Sequence, residues 1–325
     1  MSEQDEVVAL LGSVRSVAVT SHLAPDGDGL GSGLALVRAL KSVGVAARFV
    51  STDGVPRRYR FLPGADDVLR AAALVEPYDA VILIECPERH RPGLSDLDRY
   101  RLVNIDHHAL NARYAAINWV DPRAAAVGEM IYDLLPALGV ALDRDIAVNL
   151  YTAIVTDTGS FRYSNTTHRT FEIAAALLSA GCQPAAVATA LYEDEPLARL
   201  ELTRKALGSL VLDPSGRLAW IELDAADVAW SLAHDVDTED LVNYPRSIAG
   251  VEVALFFKDR GHGPVKVSLR SRGRVDVAAF AARFGGGGHK QAAGCSITGK
   301  LDEVRDRVLA MLREELGATA GPGPA

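Results

Sequence analysis

The feature that most constrains this chain is an alternation. Short β-branched runs at Val17–Thr20, Arg48–Ser51, Val81–Ile84 and Leu102–Ile105 are separated and followed by apolar residues at helical spacing, over Gly31–Val43, Val127–Leu138, Asp145–Val155 and Arg169–Ala180. A strand that is apolar on both of its faces must be covered on both, and strands that alternate with helices are joined by crossovers. The pattern predicts an α/β fold: a mostly parallel sheet with helices on both faces. In that architecture ligands bind beyond the carboxyl ends of the strands.

The character changes near Gln183. Helical segments at Pro184–Leu191 and Leu197–Leu212 read as a connection, followed by amphipathic strands at Leu218–Leu223, Val251–Lys258 and Lys266–Ser271, a helix at Val275–Phe284, a glycine run and a last helix at Leu301–Leu316. With 325 residues the chain has room for two domains. The expected division is a first α/β domain over 1–190, a helical linker over 191–212, a smaller α/β domain over 213–316 and a disordered tail over 317–325, whose sequence GATAGPGPA has no apolar pattern to bury.

Several classes of function are disfavoured at once. A formal charge of −8 argues against a broad basic surface that tracks long nucleic acid. Cys86, Cys182 and Cys295 stand far apart and form no CxxC pair, so neither a disulfide framework nor a thiolate zinc site is indicated, and a reducing cytoplasm fits. Every apolar run is cut by charge, Gly or Pro, so no membrane association is expected. A homodimer is compatible with the sequence but not specified by it.

The chemistry-bearing residues fall at the ends of the expected strands. After the first comes SHLAPDGDGLGS, which places His22, Asp26 and Asp28 on a loop that Pro25 and Gly27 constrain before a helix begins. Alone, such a segment also admits a plainer reading as an acidic turn whose Asp28 caps the helix. It does not stand alone: Asp106-His107-His108 follow another strand, and Asp157 follows the helix Asp145–Val155. Glu85 directly follows Val81–Ile84, where a carboxylate either meets a cation or remains a solvated strand-end charge. This mixed nitrogen and oxygen set suits Mn²⁺, Mg²⁺ or Fe²⁺ better than a closed structural zinc site. It holds too much charge for a single ion, and two divalent ions about 3.5–4 Å apart point to phosphoryl chemistry.

The segments HLAPDGDGLGS, IDHH and DTGSF resemble motifs of the DHH phosphoesterase superfamily, and KVSLRSR with FGGGGHKQAAG resembles its DHHA1 substrate domain. The motifs span most of the chain in the family's order, with cytoplasmic nano-RNases that also dephosphorylate 3′-phosphoadenosine 5′-phosphate as the nearest subgroup. The resemblance implies that His22, Asp26 and a bridging carboxylate hold one ion, while Asp28, His107, Asp157 and the same bridge hold the other. It further implies that His108 faces the scissile phosphate and that Asp106 orients an imidazole. One position departs from the pattern: Glu85 stands where the family carries Asp.

In the second domain the glycine run Gly285–Gly288 lets a phosphate approach backbone N–H groups at Gly286, Gly287 and Gly288. The resemblance implies that Arg270, Ser271 and His289 hold the far end of the substrate. Arg162, close to Asp157, faces either substrate phosphate or solvent. Glu129 and Asp133 read as the exposed side of a helix, His168 and His234 as surface residues, and Asp235–Asp240 as a solvated loop; His90 and Cys86 receive no role.

The expected function is two-metal hydrolysis of short RNA or DNA oligonucleotides or small nucleotides, with Mn²⁺ as the expected ion and a cleft between the domains excluding long strands. The substrates in view are RNA oligomers of a few residues, 3′-phosphoadenosine 5′-phosphate and linear diadenylate. The alternatives are an inorganic pyrophosphatase, a RecJ-like exonuclease, or a nucleotide-binding protein weakened in catalysis by Glu85.

Overall fold

The computed structural model describes residues 2–234, 236 and 238–318, in two compact units, Met1–Asp194 and Glu195–Ala325. The first unit opens with α1 (Glu3–Leu11), then runs β1 (Ser16–Thr20), α2 (Gly27–Ser42), β2 (Ala46–Ser51), β3 (Leu69–Arg70), β4 (Ala80–Ile84), β5 (Leu102–Asp106) and β6 (Ile117–Val120). Four helices complete it: α3 (Val127–Ala137), α4 (Arg144–Asp157), α5 (His168–Ser179) and α6 (Pro184–Tyr192).

All six strands are parallel, in the order β3-β2-β1-β4-β5-β6. The chain therefore travels outward from β1 to β3, returns to the middle at β4, and travels outward the other way. The order reverses between β1 and β4, and a doubly wound sheet leaves its crevice at the carboxyl ends of such a pair. His22 lies two residues beyond β1 and Glu85 directly follows β4.

One face of the sheet carries Val17, Val19, Ile82, Ile84, Val103 and Ile105 into a core shared with all six helices. The tightest helix contact is that of α2 on α4. A Cβ at Gly31 would lie 2.4 Å from the Asn149 carbonyl oxygen, so glycine is what lets the two backbones approach. The other face differs from expectation. Ala18, Val81 and Leu83 are covered by Leu74, Leu94 and Leu97 from irregular segments on either side of β4 rather than by α-helices. Those segments carry Pro77 before β4 and Pro87, Pro92 and Gly93 after it and have no helical apolar period, so they cover the sheet with loops and a short 3₁₀ turn.

The second unit contains α7 (Leu197–Gly208), β7 (Val211–Leu212), β8 (Leu218–Leu223), α8 (Ala225–Ala233), α9 (Asn243–Ser247), β9 (Val253–Lys258), β10 (Val265–Ser271), α10 (Val277–Ala282), β11 (Gly287–His289), β12 (Ala292–Ile297) and α11 (Leu301–Ala318). Its sheet runs β11-β12-β10-β9-β8-β7, parallel only between β8 and β9. The helix expected to reach Leu212 stops at Gly208, because Val211 and Leu212 pair with β8 as an edge strand. The last helix continues through Gly317 to Ala318, and residues 319–325 of the expected tail lie outside the described residues. Asp235 and Asp237 of the expected acidic loop also lie outside them, while Glu239–Val242 forms a 3₁₀ turn. Among the described residues no single helix is long and apolar enough to cross a membrane.

Candidate metal centre

Asp26 is the N-cap of α2: its Oδ1 accepts a hydrogen bond from Gly29 N at 2.9 Å. The loop before it turns at Ala24, whose φ of +50° is unusual for a side-chain-bearing residue. This turn brings His22 Nε2 to 3.8 Å from Asp26 Oδ1 and 3.6 Å from Glu85 Oε2. The His22 ring is fixed on its other edge, where Nδ1 donates to the Leu23 carbonyl at 2.8 Å.

Asp28, the second residue of α2, is 0% exposed. It does not cap its own helix; it caps another. Its Oδ2 accepts from Val127 N at 2.6 Å and its Oδ1 from Gly128 N at 3.0 Å, the first amides of α3, whose N-cap Ala126 has no oxygen to offer them. Ser32 Oγ donates to the same carboxylate at 2.7 Å. His107 follows β5 and donates from Nδ1 to the Ala124 carbonyl at 3.1 Å, which turns Nε2 toward Asp28 Oδ2 at 3.9 Å and Asp157 Oδ2 at 3.7 Å. Both imidazoles thus present Nε2 to carboxylates while a carbonyl holds Nδ1, the tautomer that suits a metal ligand.

Glu85 joins the two groups. His22, Asp26 and Glu85 have ligand atoms mutually within 4.8 Å, and so do Asp28, Glu85 and His107. Its backbone is left-handed, with φ of +57°, and the residue is 3% exposed. Burial, reinforced by the charges of Asp26, Asp28 and Asp157, pushes its carboxyl well above the ordinary range, and Oε2 is buried without a hydrogen-bond partner. Burial also raises Asp28. Asp26, whose side chain is 46% exposed, is held low: desolvation opposes its charge, but His22 and the Gly29 amide prevail.

These observations test whether cations fit. Spacings of 3.6–3.9 Å between nitrogen and oxygen are too long for hydrogen bonds. They match two ligands that each reach one ion at about 2.0–2.2 Å. Four carboxylates and two imidazoles brought together, one of them with an orphaned buried oxygen, form a donor set that divalent cations satisfy.

His108 stands beside the centre, its ring edge-on to His107 with centroids 5.3 Å apart. Asp106 Oδ1 accepts from His108 Nδ1 at 2.8 Å, and hydrogen bonds from His108 and Asn111 overcome the burial that would raise its pKa, keeping it below the usual carboxylate range. Asn111 lies outside the motifs read in the sequence, yet its Nδ2 donates to Asp106 Oδ2 at 2.5 Å and Asn104 Oδ1 at 2.8 Å. Arg162 turns back on its own loop and donates from Nε to the Gly159 carbonyl at 2.6 Å. Glu129, expected on an exposed face, is 4% exposed. At the third position of α3 its Oε2 reaches back to accept from Ala125 N at 3.1 Å, which draws it inward. Asp133, His168, His234 and His90 are exposed, whereas Cys86 is buried.

In the second unit, Arg270 on β10 pairs with Ala292 on β12, which pairs with His289 on β11. Residues in register across neighbouring strands share a face, so Arg270 and His289 flank the small Ala292 about 10 Å apart by strand spacing. Ser271 differs in character: it is fully buried and its Oγ accepts from Gly273 N at 2.8 Å, shaping the turn after β10. The glycine run has a packing reason as well. A Cβ would lie 2.2 Å from the Gly294 carbonyl oxygen at Gly286 and 2.4 Å from that of Ala292 at Gly288, whereas Gly287 faces open space.

Residues 16–154 match the N-terminal domain of the DHH family and residues 228–318 match the DHHA1 domain. A bifunctional oligoribonuclease and PAP phosphatase NrnA of Thermus thermophilus is 35% identical over 92% of this chain and 90% of its own length. A protein of the same description from Bacillus subtilis is 28% identical over 94% of this chain and 96% of its own. The crystal structure of an exopolyphosphatase-related protein from Bacteroides fragilis superposes with a TM-score of 0.84 at 25% identity, covering 97% of this chain and 96% of that one.

Proposed function

We propose, because this chain belongs to the DHH phosphoesterase family and carries a DHHA1 domain, that it hydrolyses phosphate esters in short nucleotides. Its substrates are RNA oligomers of a few residues, from which it releases 5′-mononucleotides, and 3′-phosphoadenosine 5′-phosphate; the names of its relatives as oligoribonucleases and PAP phosphatases support this reading. The observation that carries it is the double membership of Glu85, the one carboxylate shared by both ligand groups.

In this reading His22, Asp26 and Glu85 hold one divalent ion, and Asp28, Glu85, His107 and Asp157 hold the other. Mn²⁺ is the ion best suited to so mixed a donor set. When bound, such a pair supplies positive charge against the phosphate oxygens and makes a water acidic enough to attack near neutral pH. The chain's own groups do the rest. His108, fixed through Asp106, presents its imidazole to the phosphate and protonates the leaving oxygen. Arg270 and His289 hold the substrate's far phosphate, for which the forked guanidinium suits a tetrahedral anion.

Purified protein with Mn²⁺ is incubated with labelled dinucleotides, 5-mers, 20-mers and 3′-phosphoadenosine 5′-phosphate. The expected order places dinucleotides and 3′-phosphoadenosine 5′-phosphate well ahead of 20-mers. Equal rates on dimers and 20-mers, or turnover of none of them, would overturn the assignment.

A further inference from the structure

Of the four ligands assigned to the second ion, Asp28, His107 and Asp157 arrive from three elements, α2, the end of β5 and the end of α4, yet one short segment holds the first two directly and the third through one side chain. Asp28 accepts from the amides of Val127 and Gly128, and His107 donates to the carbonyl of Ala124. Asn165 supplies the third link: its Nδ2 donates to the Ala125 carbonyl at 2.9 Å and to the Asp157 backbone carbonyl at 3.2 Å, and lies 3.5 Å from Asp157 Oδ2. The segment is fixed from its other side by Glu129, whose Oε2 accepts from Ala125 N. Ala125 thus has its carbonyl held by Asn165 and its amide held by Glu129.

We propose that Asn165 and Glu129 are positioning residues which clamp the Ala124–Gly128 segment, and through it aim Asp28, His107 and Asp157 at one ion. The inference rests on the two-ion reading above. A ligand displaced by a fraction of an ångström loses much of its bond to a hard cation, and outer partners of metal ligands commonly change affinity by about 10–100-fold. Among the described residues no hydrogen bond named here joins that segment to the first group: those of His22, Asp26 and Glu85 run to the Leu23 carbonyl, the Gly29 and Leu30 amides, the Ile105 carbonyl and between Asp26 and Glu85 themselves. The clamp therefore acts on one ion and spares its neighbour.

The test is calorimetric titration of metal-stripped protein with Mn²⁺, without substrate, alongside thermal melting. Asn165→Leu keeps much of the volume and removes the amide; it is expected to weaken one ion at least about tenfold while the other shifts less than about threefold. The same loss is expected when Asn165→Leu is added to His22→Ala, and a smaller further loss when it is added to Asp157→Asn, because Asp28 and His107 still depend on the segment. Glu129→Leu carries the same expectation and serves should Asn165→Leu fail to fold. A folded variant that binds both ions as wild type does, or one that weakens both equally, overturns the clamp. A wild-type protein that binds fewer than two Mn²⁺ overturns the two-ion reading itself, and the clamp with it.

Discussion

The imidazole of His108 is held by the carboxylate of Asp106, Nδ1 to Oδ1 at 2.8 Å, and the same oxygen accepts from the backbone amide of His107 at 2.9 Å. One carboxylate therefore fixes both the orientation of His108 and the start of the loop that carries His107. Replacing His108 with Ala is expected to lower kcat by about 10²–10⁴-fold with little change in bound metal, the range for a positioned acid or base. Asp106→Ala is expected to lower kcat and also to weaken Mn²⁺. Rate measurements paired with metal analysis check both; a His108→Ala enzyme with wild-type kcat would contradict the role.

Glu85 separates a working enzyme from a binding protein. Its backbone is left-handed directly after β4, and its carboxylate lies within reach of both ligand groups. Glu85→Ala is expected to reduce bound Mn²⁺ and to lower the rate at least about 100-fold, beyond the usual effect of removing a supporting partner. Glu85→Asp is expected to remain active. Wild type inert with Mn²⁺ beside an active Glu85→Asp variant would favour the binding-protein reading instead.

The metal-free protein should titrate unusually. Burial works against a charged His107, but Asp157, Asp28 and the Ala124 carbonyl outweigh it and push its pKa up to about 9, against 6.5 for an ordinary histidine. A raised pKa means that the charged ring stabilises the fold fully below about pH 6.5, and that this contribution is lost as pH rises through about 9. The ring must be neutral to bind metal, so Mn²⁺ affinity is expected to rise across the same window. An NMR titration of the His107 ring in stripped protein checks this; a midpoint at or below 6.5 would contradict it.

Much of this was legible in the sequence because a few local rules dominate. The apolar runs ending at Thr20, Ile84 and Asp106 are strands buried on both faces, and polar residues directly after such runs are confined to the sheet's carboxyl edge. Less legible were elements whose residues carry no strong propensity. Ala292–Ile297 reads AAGCSI, and only its partners on both sides make it a strand. Glu129 was misread for a similar reason: helical periodicity places a charge at that position outward, but the third residue of a helix lies where a carboxylate can fold back onto the chain before it. An acidic residue there was the available signal. Asn165 gave none, since its hydrogen bonds run to residues eight and forty positions away.

The central claim is that His22, Asp26, Asp28, Glu85, His107 and Asp157 hold a pair of divalent cations. Anomalous diffraction at the manganese edge from crystals grown with Mn²⁺ tests it most directly. Two peaks about 3.5–4 Å apart, with Glu85 reaching both, are expected. A single peak, or a pair that Glu85 does not touch, would contradict it.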